Sequence, residues 1–442
     1  MVCLGALTAG RAQADDRPAG GLAAIDPPMT DVQETLGDGP IRRARLYWDD
    51  GLNYEVPRRL ALPEGVPRER VRDALGQPLP PYRLAGGIRL TFQGDAAMFR
   101  GSPNLPEIAD GLEVRRFVLA TSGELVVGLP IHYSVELELA KDRFFLTELA
   151  LGLRGLPWIG SLSIGQFKPY VTLDSATPAR SLTFMERAAA VQAFAPDEKA
   201  GSQIGDQALE ERLTWRLGWF ADSTATDSGD ATESPTRVVG RLTWLPVADD
   251  ASRRLVHLGI SGSYILSPRG EVRYRARPES HLAPYQADTG PIKATNAYVV
   301  ALEAALVSGP LSLQGEYLQS VVQEGSGPPL QFRGFYLFAS WFLTGESRPY
   351  DRARGAFGWL TPRRSVGFHD GGLGAWEVAV RYSYLDLDDG TVGGGRMGLT
   401  TLALNWYLTR NVRLSANYVA TDVTGSGGGW LHALQGRVQI AF

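Results

Sequence analysis

From Leu434 to its last residue the chain alternates without a break. Leu434, Gly436, Val438, Ile440 and Phe442 share one parity, and Gln435, Arg437, Gln439 and Ala441 share the other. A period of two gives a β-strand one apolar and one polar face. An aromatic at the end of such a strand suits a membrane–water interface, and the polar face suits a wet interior. This is the pattern of the closing strand of an outer-membrane β-barrel.

The alternation recurs from about residue 84 onward. Tyr133, Val135, Leu137 and Leu139 oppose Ser134, Glu136 and Glu138, while Leu213, Trp215, Leu217 and Trp219 oppose Arg212, Thr214 and Arg216. Trp376, Val378, Val380 and Tyr382 oppose Glu377 and Arg381, and Leu402, Leu404 and Trp406 oppose Thr401 and Asn405. Segments 144–153 and 331–342 carry apolar residues on both parities and stay ambiguous. Between the strands, 168–200, 221–235, 265–294, 321–330, 386–398 and 421–433 read as long polar loops, and Thr409–Asn411, Val307–Pro310 and Gln207–Glu211 as tight turns. Short periplasmic turns and longer external loops are what membrane barrels show. Only 344–374 breaks the rule, being long on the periplasmic side. The expected fold is all-β: a transmembrane antiparallel β-barrel of about 16 strands. A soluble propeller would repeat at a regular period, which this chain does not.

Composition agrees without deciding. No run of 18 uncharged apolar residues exists, which excludes a membrane protein built of helices, and a net charge of −4 gives no case for nucleic acid. Of the 44 basic residues all but Lys141, Lys168, Lys199 and Lys293 are Arg, an excess that a GC-rich genome also produces. Val2–Gly10 is short and apolar, and Ala12-Gln13-Ala14 is a cleavage site of A-x-A type. Residues 1–14 are therefore expected to be a signal peptide, truncated at its charged start, whose removal takes away Cys3, the single cysteine. Residues 15–83 are expected to be a periplasmic extension with one hairpin, Arg43–Trp48 and Leu52–Val56, and residues 84–442 the barrel.

Four stretches carry a family resemblance. They are Gly165-Gln166-Phe167-Lys168-Pro169; Arg180 to Arg187 with Ala193 to Pro196; Ala339 to Asp351 with Gly355 to Gly358; and Trp376 to Asp389 with Asn405 to Leu408. Together they resemble the phosphate-selective porin family, the porin O and P type. The resemblance implies a trimeric, 16-stranded anion channel of the bacterial outer membrane whose third external loop folds into the barrel.

That third loop is 168–200. Its apolar residues, among them Leu182, Phe184, Met185 and Phe194, need a surface to bury against, and the lumen wall offers one. Lys168, Arg180 and Arg187 are the expected constriction residues; alternatively, Glu186 and Arg187 form structural ion pairs. Lumen parity selects Arg89, Arg115, Arg212, Arg216, Arg237, Arg241, Arg381, Arg413 and Arg437 as an anion pathway. Such a ladder concentrates anions, and a guanidinium fork grips oxyanions, provided binding stays weak enough for release. Inward acids (Glu136, Glu138, Glu303, Glu316, Glu377) would cancel part of that field. The resemblance associates phosphate selectivity with several lysines, and only four exist here, so selectivity for small anions in general is expected, with phosphate-like oxyanions among them. A nonspecific pore and a plugged structural or adhesion barrel remain the alternatives. The five histidines show no metal-ligand spacing, His257 reads as a solvated lining residue, and no enzyme chemistry or cofactor is expected.

Overall fold

The computed structural model describes residues 45–49, 51–57, 83–127, 129–140, 143–221, 236–266, 270–367, 371–424 and 428–442. The signal-peptide reading of residues 1–14 and most of the extension lie outside them. The expected hairpin is present as strands Arg45–Asp49 and Gly51–Pro57, and the second strand pairs with the next one in the chain, Leu52 opposite Ile88.

Sixteen strands then run antiparallel, each hydrogen-bonded to its neighbours in sequence. They are β1 (Arg83–Gly101), β2 (Gly111–Val127), β3 (Leu129–Ala140), β4 (Arg143–Leu156), β5 (Gly160–Phe167), β6 (Lys199–Ala208), β7 (Leu213–Ala221) and β8 (Thr236–Asp249). The second half comprises β9 (Arg254–Leu266), β10 (Asn296–Ser308), β11 (Leu311–Gln323), β12 (Leu330–Phe342), β13 (Ala375–Asp389), β14 (Val392–Tyr407), β15 (Val412–Thr424) and β16 (Gly429–Ala441). Pairing of β16 with β1, from Leu431 opposite Gly101 to Ala441 opposite Thr91, closes the barrel and leaves it no free edge. Phe442 is fixed by mutual backbone bonds with Leu90.

Parity settles which face is which. Along β10, Tyr298, Val300, Leu302 and Leu306 are exposed while Ala297, Val299, Ala301, Glu303 and Val307 are buried. The exposed face is apolar all round the barrel, as a lipid-facing surface must be, and Trp219, Trp244, Tyr264, Tyr317, Trp341, Tyr418 and Phe442 lie on it, as interfacial aromatics do.

Three expected loops are shorter than the sequence implies. Residues 386–398 are largely strand, with β13 and β14 joined at Asp389 and Val392, and residues 321–323, 421–424 and 429–433 of the other two are strand as well. Bulges also shift the parity, and two of them bear on the sequence reading. One lies in β2 opposite Gln93 and Gly94, and the other in β4 opposite Glu136 and Leu137. The second accounts for the ambiguity of 144–153, since one extra residue there exchanges the two faces.

Candidate functional site

The lumen is shaped by three segments that pack against its wall. The first is 168–198. After Pro169 the chain turns into a one-turn helix, α1 (Leu173–Ala176), set by a capping box in which Thr172 and Ser175 each bond the other's backbone N–H at 3.0 Å. Leu173 and Ala176 pack with Leu245, Leu255 and Phe357, and the Asp174 N–H donates to Glu316 at 2.5 Å. The irregular stretch that follows has carbonyls that no secondary structure satisfies, and lumen-facing side chains supply the donors. Arg413 donates to Leu182 O (2.7 Å) and Thr183 O (3.1 Å), Arg437 to Met185 O (2.6 Å), Arg381 to Glu186 O (3.1 Å), and Gln439 to Arg180 O (3.1 Å). Helix α2 (Ala189–Phe194) then lies flat on the wall at Gly334, where an added Cβ would sit 2.7 Å from the Ala190 Cβ.

The second segment is 270–295. Its ribbons pair Glu271–Val272 with Ile292–Lys293 and Arg275–Ala276 with Ala287–Asp288. Val272, Tyr274, Ala276, Ala287 and Ile292 pack on the inward faces of β10 to β14, with Ser320 donating to the Tyr274 hydroxyl at 2.8 Å. The opposite ribbon face looks away from that wall and carries Arg273, Arg275 and Lys293, all exposed. Arg275 and Arg277 stack on Tyr285, 4.3 and 4.4 Å from its centroid. Glu279 ties the two segments together: it accepts from the Ala189 N–H at 3.2 Å, from Thr401 at 2.6 Å and from Arg381.

The third segment enters from the opposite end. Residues 343–367 bend into the barrel, and their carbonyls are held by Thr214 and Arg216 (Arg352 O 3.0 Å, Ala353 O 2.8 Å) and by Arg241 (Gly355 O 2.8 Å). Arg348 reaches Gln314 at 2.6 Å, with its guanidinium 3.6 Å from the Phe357 ring centroid, and Tyr350 bonds His257 at 2.7 Å. Phe357 meets α1, so the two ends of the lumen contact each other through these segments.

Together they fill one side of the barrel and leave the other open. Inward side chains of β8 to β16 are almost all buried, including Arg237, Ser261, Ser320, Ser383 and Asn405. On β2 to β4 the inward positions Ser122, Glu124, His132, Ser134, Glu136, Glu138, Glu148 and Arg154 all keep partial or full exposure. Solvent thus reaches inward side chains along that wall, and Arg187, Arg216 and Arg354 also keep partial exposure. Among these groups burial, and then the neighbouring Arg187 guanidinium, hold the Lys168 amine below its ordinary pKa.

Residues 87–442 match the family described as phosphate-selective porin O and P. The chain belongs to that family. An uncharacterised protein of Caulobacter vibrioides is 31% identical over 330 residues, covering 72% of this chain and 64% of its own length. Porin O of Pseudomonas aeruginosa is 24% identical over 293 residues, covering 59% of this chain and 64% of its own. The matches thus span just under two thirds of each relative. Among solved structures, the anion-selective porin from Comamonas acidovorans superposes with a TM-score of 0.52 at 14% identity, over 81% of this chain and 100% of its own, which supports the barrel fold.

Within this family member the arginines divide by task. Arg241, Arg381, Arg413 and Arg437 face inward as expected but are buried. Arg241 forks onto Glu303 (2.9 and 2.7 Å), Arg437 onto Asp95 (2.7 Å, both oxygens), and Arg381 onto Glu279. They anchor loops and do not line an open ladder, which corrects the expectation for these four. Arg237 is likewise buried, donating to Ser263 at 2.8 Å. Arg212 lies outside the strands, exposed in the turn before β7. Arg89, Arg115 and Arg216 retain partial exposure. On the third loop, Glu186 forms the structural ion pairs, with Arg115 (2.9 Å) and Arg437 (2.8 Å), whereas Arg187 donates to Thr177 O at 3.0 Å. Burial would raise the Glu186 carboxyl, but Arg115 and Arg437 hold it well below the usual carboxylate range. His257 is not solvated: it is fully buried between Tyr350 and Glu303. Sequence reasoning missed Arg116, which the β2 bulge turns inward onto Glu138 (3.1 Å), and the basic face of 271–293. The alternation Arg273, Arg275, Arg277 was the available signal for the latter.

Proposed function

We propose that this protein is an outer-membrane porin through which small anions, phosphate-like oxyanions among them, diffuse passively. The observation that carries the reading is the exposed basic face of the ribbon at the outer mouth. Arg273, Arg275 and Lys293 are exposed there, with Arg277 half-buried beside them, on a segment packed against the wall, where Asp288 offsets Arg273 through bonds of 2.8 and 2.5 Å and Glu271 stands opposite Lys293. A fixed array of cations at a narrow entrance raises the local anion concentration, and stacking on Tyr285 holds two of the guanidiniums in place without neutralising them. Lys168, Arg180 and Arg187 continue the cationic lining on the third loop. Family membership supports the channel reading, and a homotrimer with export through a cleaved leader at residues 1–14 belongs to the same proposal.

The test is the reversal potential of the protein in planar bilayers under a salt gradient, with phosphate competing against chloride. The native channel should favour anions. Arg275→Gln with Arg277→Gln should reduce that preference, more at low salt, because the Debye length falls from about 30 Å at 0.01 M to about 3 Å at 1 M. Conductance without anion preference would leave a nonspecific diffusion pore, and no conductance would leave a plugged barrel.

A further inference from the structure

The open wall carries both signs of charge. Glu138, Glu136 and His132 occupy inward positions of β3: Glu138 pairs with Arg116 of β2 at 3.1 Å, Glu136 with Arg89 of β1 across β2 at 3.4 Å, and the His132 imidazole lies 3.4 Å from Glu124 of β2. Two residues along a strand advance about 7 Å, so Glu138 and Glu136 are successive rungs and His132 stands two rungs further on. They differ from the anchoring pairs elsewhere in the barrel. Arg89 and Glu136 are 39% and 25% exposed, whereas Arg241 and Glu303 are 2% and 0% exposed. A half-exposed ion pair is worth about 0–1 kcal/mol, so a passing solute exchanges with either partner at small cost.

The facing side is cationic. Arg354 stands 3.9 Å from the Asp351 carboxylate and within electrostatic reach of Glu148 and Glu136. Arg187 Nη1 and Arg216 Nε are buried donors with no partner among the described residues. A bare anion in this space gains from the guanidiniums and is repelled by Glu136, Glu138 and Glu148. A molecule bearing an oxyanion and an ammonium group satisfies both sides at once, the oxyanion on the unpartnered donors and the ammonium on the wall carboxylates.

We infer that the passage below the outer mouth selects amphoteric oxyanions, solutes carrying a phosphate or carboxylate together with a cationic group, over simple anions of the same size. This rests on the pore reading above and adds the substrate class. The test uses the purified protein in liposomes and two phosphomonoesters of similar size, phosphoethanolamine and glycerol phosphate. Phosphoethanolamine should enter several-fold faster. Glu136→Gln with Glu138→Gln should bring the ratio to one or below by raising glycerol phosphate flux. A ratio of one or less in the native protein overturns the inference whatever the variant does, as does a native ratio that the variant leaves unchanged. In either case conductance in potassium chloride shows the pore reading intact; absence of all flux and conductance defeats the pore reading itself.

Discussion

Arginine does two different things in this barrel, and burial separates them. Where a guanidinium is enclosed, as at Arg381, Arg413 and Arg437, its fixed fork satisfies the carbonyls of a segment that has no secondary structure of its own. Where it is exposed, as at Arg275, it leaves charge facing the water path. Glu186 is the residue on which the first task can be measured, because Arg115 and Arg437 both converge on it. Its carboxyl is held below the ordinary range, so it contributes stability above the unfolded-state pKa and loses it only as pH falls through its own lower value. Glu186→Gln should cost about 3–5 kcal/mol, the usual penalty for leaving a buried charge without its partner, with Asp95 reducing the loss at Arg437. Urea unfolding in lipid or detergent measures it. The difference from the native protein should stay constant from about pH 7 to about pH 5. A difference already gone at the lower value would show that the arginines do not hold this carboxylate.

Helix α2 shows how an element with little intrinsic stability is kept in place. Its sequence, Ala189-Ala190-Val191-Gln192-Ala193-Phe194, has small residues where it meets the wall, and the wall answers with Gly334. Gly334→Val places methyl groups where Ala190 and the Tyr384 carbonyl already lie, each 2.7 Å from the added Cβ. Overpacking of this kind costs about 1–3 kcal/mol. Here the cheaper response is to release α2, so single-channel conductance should rise and become noisier. Gly240→Val is the control, since its Cβ meets nothing closer than 3.9 Å and both measurements should stay as in the native protein. An unchanged conductance in Gly334→Val would mean that α2 does not narrow the path. The same contacts explain what the sequence could and could not reveal. Strands with a polar lumen face, such as β3 and β16, were legible from alternation alone. In β12, Phe332, Tyr336 and Phe338 point inward, where Phe338 meets Phe184 and Phe332 meets Tyr274, so the strand is apolar on both faces and its parity is hidden. The long span 344–374 was legible as an anomaly of length. That it bends inward depends on donors from β7 and β8 distant in sequence, which no local pattern records.

At the scale of the molecule, the barrel is an enclosure filled on one side only. The strand count, the closing strand and the outward aromatics follow from a period of two, because lipid acts on every outward position alike. The lumen is different: each inward residue answers to whichever segment reaches it, so a list of inward arginines could not separate anchors from lining. The asymmetry can be mapped by chemical access. The chain's single cysteine is Cys3, at the far N-terminus, so a cysteine-free background needs one substitution at most. Ser134→Cys and Ser163→Cys place thiols on partly exposed inward positions of β3 and β5, while Ser320→Cys and Ser383→Cys place them on wall positions that are fully buried. A charged thiosulfonate reagent added to an open channel should step the current down within seconds at Ser134→Cys and Ser163→Cys. It should leave Ser320→Cys and Ser383→Cys unaffected until the barrel is denatured. Serine to cysteine changes volume little, so all four should assemble. Equal reactivity at the four positions would mean that 168–198, 270–295 and 343–374 do not stay on the wall in the conducting state, and that the water path is wider than one side of the barrel.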